Sequence, residues 1–87
     1  PVEFNIKAID SLLQMKLLSR ALKEALAAEV ISPNNVELLL KIGQIYYQMD
    51  EMGKADEYWE RVLSKDPGNR EAKNHLKHSQ QEIFIGP

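Results

Sequence analysis

Glu71, His75, His78 and Glu82 follow one another at intervals of four, three and four residues. On a helix those intervals place all four on one narrow face. Imidazole nitrogens and carboxylate oxygens presented together are a ligand set suited to Zn²⁺. The same residues equally form a solvated face with ordinary helical charge pairing, and nothing in the sequence supplies acceptors to orient the imidazoles. A solvated face is therefore expected, with no metal. Nucleophilic chemistry is less well provided for. Ser11, Ser19, Ser32, Ser64 and Ser79 lack a glycine elbow, neither histidine has a local nucleophile partner, and the glycines form no phosphate-binding loop. The absence of cysteine excludes thiolate zinc sites, cysteine nucleophiles and disulfides. On this inventory the chain is expected not to be an enzyme and to need no cofactor.

The chain that carries these residues has 87 amino acids, 11 Lys and Arg against 13 Asp and Glu, and a formal charge of −2. That length supports one small domain and no more. Acidic and basic residues are interspersed, so no basic stripe displaces counterions from a phosphate backbone, and nucleic acid is not an expected partner. No apolar run approaches the roughly 20 residues needed to span a bilayer, and Pro1-Val2-Glu3-Phe4-Asn5 is no signal peptide, so no membrane partner is expected. Cysteine usage gives no compartment, and the cytoplasm is the default. Opening without methionine, the chain is expected to be cut from something longer.

Proline and glycine punctuate the sequence at Pro33, Gly43, Gly53, Pro67 and Gly68, leaving stretches rich in Leu, Ala, Glu, Lys and Gln that read as helices. No alternating strand pattern competes, so the fold class is all-α. Pro33 and Pro67 lie 34 residues apart, and at the same offset Ala21 matches Ala55, Leu12 matches Tyr46, and Ser32-Pro33-Asn34-Asn35 matches Asp66-Pro67-Gly68-Asn69. The second unit is the clearer. Asn34 or Asn35 can cap its first helix, and Glu37 suits the dipole there. Leu39, Ile42, Tyr46 and Met49 form its buried stripe at three- and four-residue spacing. Asp50-Glu51-Met52-Gly53 reads as its turn. Gly43 leaves room where the partner helix comes close, with Ala55 the small residue expected opposite. Tyr58, Trp59, Val62 and Leu63 give the second helix its apolar face, and Asp66-Pro67 stops it.

With Leu39, Ile42, Gly43, Tyr46, Ala55, Trp59 and Pro67 at its key positions, this unit resembles a tetratricopeptide repeat, and only Val62 departs from the usual small residue. The resemblance implies a right-handed α-α superhelix of two helix-turn-helix units and a capping helix: a degenerate repeat over 2–35, a well-matched repeat over 36–69, a cap over 70–83 and a tail over 84–87. In the first unit Asn5, Ala8, Ile9 and Leu12 face Ala21, Ala25 and Ala28, and its turn falls within 15–20. Ile9 stands where the family has glycine while Ala25 stands where the second unit has Trp59, a large-for-small exchange that conserves volume. In the cap, Ala72, Leu76, Ser79 and Ile83 form the inward stripe, and Lys73, Lys77 and Gln80 keep the outer face polar.

By the same resemblance, the first helix of each unit lines a concave groove for a peptide or helix of another protein. The positions that transfer include Ile6, Asp10 and Leu13; Glu37, Leu40, Gln44, Tyr47 and Gln48; and Asn74 and His78. Lys41, Glu71, His75 and Glu82 lie on the same wall. Leu40 and Tyr47 share a face distinct from the core stripe, where they serve either partner contact or packing between units. A subclass of the family grips a terminal carboxylate with Lys, Asn and Arg, but those positions here hold Ile6, Asp10, Lys41, Glu71 and His75. Asp10 and Glu71 repel a carboxylate, so an apolar, neutral or basic ligand is expected. The expected function is a non-catalytic protein-interaction scaffold. The alternative is a structural or oligomerisation module that uses the N-terminal helix, where Val2, Ile6, Ile9 and Leu13 beside Phe4, Ala8, Leu12 and Met15 make an apolar arc too wide for one contact. That arc is expected to meet either an upstream segment of a parent chain or a second copy.

Overall fold

The computed structural model describes the backbone of residues 1–83 and the side chains through residue 78. The expected tail 84–87 and the side chains of Ser79, Gln80, Glu82 and Ile83 lie outside the described residues. The described residues form five helices and no strand: α1 (Val2–Gln14), α2 (Leu18–Ile31), α3 (Val36–Gln48), α4 (Met52–Lys65) and α5 (Arg70–Ile83). The fold is all-α, as the composition and spacing imply.

Each helix packs chiefly on its neighbours in sequence, α1 on α2, α2 on α3, α3 on α4 and α4 on α5. The result is elongated, with extents of 46 × 27 × 17 Å. Two apolar clusters hold it together. Ile6, Ile9, Ala21, Ala25, Ala28, Leu38, Ile42 and Ile45 form the first, and Leu39, Ala55, Trp59, Val62 and Ala72 the second. α3 divides its apolar residues between the two, which is why this helix is apolar over more than one stripe. Ile9 and Ala25 are both fully buried in the first cluster, where the second unit has Gly43 and Trp59.

The 34-residue period governs backbone geometry as well as side chains. After α1 and again after α3 the chain closes a Schellman turn. The Leu17 N–H donates to the Leu12 carbonyl at 2.9 Å and the Lys16 N–H to that of Leu13 at 3.0 Å; 34 residues on, Glu51 donates to Tyr46 at 2.8 Å and Asp50 to Tyr47 at 3.0 Å. The left-handed residues are Lys16 (φ 62°) and Asp50 (φ 65°), again 34 apart and neither a glycine. The expected glycine turn is thus corrected: Gly53 sits inside α4, and Asp50, whose short polar side chain tolerates the left-handed region, makes the reversal. The first turn occupies 15–17, inside the expected 15–20, and α2 already starts at Leu18. Asn35 accepts the Leu38 N–H at 2.9 Å and Asn69 accepts the Ala72 N–H at 2.9 Å, so the helix caps also recur at the period.

Two core expectations change. Ala8 is exposed, because Ile6 and Ile9 point inward and leave it on the far side of α1. Val2 and Leu13 turn toward the first cluster with them, while Phe4 and Met15 stay exposed. At Gly43 the close neighbour is Trp59. A Cβ there would lie 2.4 Å from the indole Nε1, and the three nearest atoms all belong to that ring.

Candidate functional site

α1, α3 and α5 are the first helices of successive units, and the candidate groove residues all lie on them. At the N-terminal end, Glu3, Ile6, Lys7, Asp10 and Glu37 line one open depression of about 300 Å³ between α1 and α3. The structure thus brings Ile6, Asp10 and Glu37 together from two units. Ile6 is only 6% exposed and serves as the floor. Asp10 is half-buried and pairs with Lys41 Nζ at 2.8 Å, an ion pair that ties the two walls and neutralises both charges. Leu13, half-buried, packs against the first cluster, and Gln44 is half-buried on α3. Glu37 and Gln48 are exposed.

Further along, Leu40 and Tyr47 pack against the second cluster, with the Tyr47 ring 5.8 Å from Trp59. Both therefore pack on a cluster drawn mostly from their own unit, which Ala72 of α5 completes. Asn74 and His78 are exposed on α5. His75 stacks on Trp59 at 4.3 Å with the rings 13° apart, and its Nε2 lies 3.9 Å from Glu71. One face of this imidazole is thus covered by the indole. Among the described residues no group of three or more His, Asp or Glu is placed to hold a metal ion.

A second polar feature escaped the sequence reading. Glu29 on α2 accepts the Tyr58 hydroxyl at 2.7 Å and pairs with Arg61 at 2.7 Å, while Arg61 also donates to the Pro33 carbonyl at 3.3 Å and lies over the Tyr58 ring at 4.8 Å. Burial, and then the Glu29 carboxylate beside it, push the Tyr58 phenol up to about 12. These partners are 29 and 32 residues apart, so no local spacing announces them. The cluster clamps α2 onto α4. Val30 and Ile31, 83% and 81% exposed at the end of α2, were likewise not singled out, because their apolar character suggests burial.

No family model matches the chain. Protein adenylyltransferase fic-1 of Caenorhabditis briggsae is 38% identical over 55 residues, which make up 63% of this chain. The protein of the same name from Caenorhabditis elegans is 36% identical over 55 residues. The chain spans 11% of the length of each of these curated relatives. The expectation of a non-enzyme is corrected by this likeness, since both proteins matched are enzymes by name. The inventory of serines, histidines and glycines went astray for a simple reason. It tests only for reactive groups within 87 residues, whereas a helical segment can share ancestry with an enzyme through residues that build its frame.

Proposed function

We propose that this chain is a tetratricopeptide-type array, a right-handed α-α superhelix of two units and a capping helix, that holds a peptide or helix of a partner protein along the wall made by α1, α3 and α5. In the setting suggested by the adenylyltransferases it resembles, the array serves protein adenylylation by holding the polypeptide concerned. The observation that carries this reading is the recurrence, 34 residues apart, of the Schellman turns at Lys16 and Asp50 and of the caps at Asn35 and Asn69. A period written into turns, caps and burial together is the mark of stacked supersecondary units.

The partner's chemistry follows from the wall. Ile6 as floor and the half-buried Leu13 give the wall its apolar part, Gln44, Gln48 and Asn74 offer hydrogen bonds, and beside the Asp10–Lys41 pair the depression carries Glu3, Lys7 and Glu37, two negative charges against one positive. Such a wall favours an apolar, neutral or basic segment and disfavours a carboxylate.

Selection of a random peptide library on the immobilised 87-residue chain tests this. Leu40 and Tyr47 are poor probes because they support the second cluster, whereas Glu37, Gln48 and Asn74 are exposed and can be changed without unsettling the fold. Selected peptides should lose at least about tenfold in affinity on Glu37→Arg combined with Asn74→Ala, and keep it on Lys23→Glu in α2. Equal binding to both variants rejects the groove.

A further inference from the structure

The depression between α1 and α3 is built for one kind of side chain. Its floor is Ile6, 6% exposed, and its sides carry Glu3, Lys7 and Asp10 from α1 and Glu37 from α3. Asp10 is held by Lys41 at 2.8 Å, so those two charges answer each other. Glu3 and Glu37 are exposed, stand on different helices, and have no side-chain partner among the described residues. Lys7, one turn beyond Glu3, is the cation that stands among them.

Three considerations choose the occupant. A volume of about 300 Å³ lies at the bottom of the range for small-molecule pockets, which suits a single side chain better than a free ligand. A bare metal ion is excluded by spacing, because among the described residues no three acidic or histidine side chains converge closely enough to hold one. The carboxylates are too dispersed for a point charge. An apolar side chain would cover Ile6 but take water from Glu3 and Glu37 and return nothing. An arginine answers each demand. Its methylene stem lies over Ile6, and its planar head carries five donors in a fork that can meet a carboxylate on either wall.

We infer that this depression is a subsite for one arginine side chain of the bound polypeptide, with the stem on Ile6 and the guanidinium between Glu3 and Glu37. The subsite rests on the wall of α1, α3 and α5 being where a polypeptide is held, and names the residue that anchors it there. Lys7 opposes the arginine, since it stands beside a carboxylate that the guanidinium meets. Removing that lysine therefore strengthens the subsite.

The test uses peptides selected from a random library on the intact 87-residue chain, with affinities read by fluorescence anisotropy. The selected sequences should share an arginine at one aligned position. Citrulline there, which keeps the shape and removes the charge, should cost about fivefold in affinity. Glu3→Gln with Glu37→Gln should bring the arginine and citrulline peptides to equal affinity. Lys7→Gln should tighten the arginine peptide about twofold and leave the citrulline peptide unchanged. Selected peptides that share no arginine, yet weaken on Glu37→Arg with Asn74→Ala, overturn the subsite and leave the wall standing. A citrulline peptide that binds as tightly as the arginine one overturns it too, as does a citrulline loss that survives Glu3→Gln with Glu37→Gln. Peptides that bind the Glu37→Arg, Asn74→Ala protein as they bind the parent reject the wall, and the subsite with it.

Discussion

Replacing Gly43 by alanine should destabilise the protein, against the ordinary preference of helices. Gly43 lies within α3 and its φ is not positive, so alanine's higher helix propensity alone would stabilise by about 1 kcal/mol. The added Cβ, however, would lie 2.4, 2.7 and 2.9 Å from three atoms of the Trp59 indole. Carbon atoms in contact sit about 3.5–4.0 Å apart, so the ring must retreat by about 1 Å. It has little freedom to do so. Trp59 is fully buried, stacks on His75 at 4.3 Å, and shares its cluster with Leu39, Ala55, Val62 and Ala72, all fully buried. Overpacking of this kind costs about 1–3 kcal/mol, and the rigidity of the surroundings points to the upper end. The net is a loss of about 2 kcal/mol, or a fall in Tm of about 8–16 °C for a domain of this size. Gly53, in the first turn of α4, has no atom within 4 Å of the corresponding Cβ, and Gly53→Ala should raise Tm by a few degrees, from a gain of about 0.5–1 kcal/mol. Far-UV circular dichroism melts of the two variants give opposite signs. A Gly43→Ala protein that melts at or above the parent refutes the close approach of α3 and α4.

Other substitutions probe the period and the clamp. Lys16→Gly should stabilise by about 1 kcal/mol by relieving a left-handed side chain, and Asp50→Gly by less, because aspartate tolerates that region better; urea midpoints compare them. Asn35→Ala and Asn69→Ala should each cost about 1 kcal/mol through an orphaned helix amide, read in the same denaturation series. The raised Tyr58 phenol gives an alkaline dependence. Its folded value of about 12 lies above the ordinary 10, so its contribution is complete below pH 10 and is lost as pH rises toward 12, when a phenolate would face Glu29. Tm measured from pH 8 to 12 should fall less steeply for Tyr58→Phe than for the parent.

Elements that follow from local spacing were legible in the residues, and those that depend on distant partners were not. Leu39, Ile42, Trp59 and Val62 recur at helical intervals, and all are fully buried. Gly43 was readable as a place of close approach, but a small residue identifies the closeness and not the neighbour. The indole of Trp59, one turn beyond Ala55, fills the space. Gly53 misled as a turn residue because Asp50 and Lys16 adopt left-handed geometry without glycine, held there by paired carbonyls. On the candidate wall, Asp10 and Lys41 could each be assigned a face. Their pairing at 2.8 Å joins residues 31 apart on two helices and depends on how the units stack. The Glu29, Tyr58 and Arg61 clamp has the same origin. Val30 and Ile31 are apolar residues that fall off the Ala21, Ala25 and Ala28 stripe, and they are exposed.

The account depends most on the wall of α1, α3 and α5 being where a polypeptide is held. Amide NMR of the ¹⁵N-labelled chain, titrated with a library-selected peptide, tests this directly. The shifts are predicted to gather at Asp10, Glu37, Lys41, Gln44 and Asn74. Shifts concentrated instead on α2 and α4, at Lys23, Ala27, Glu57 and Glu60, would contradict it.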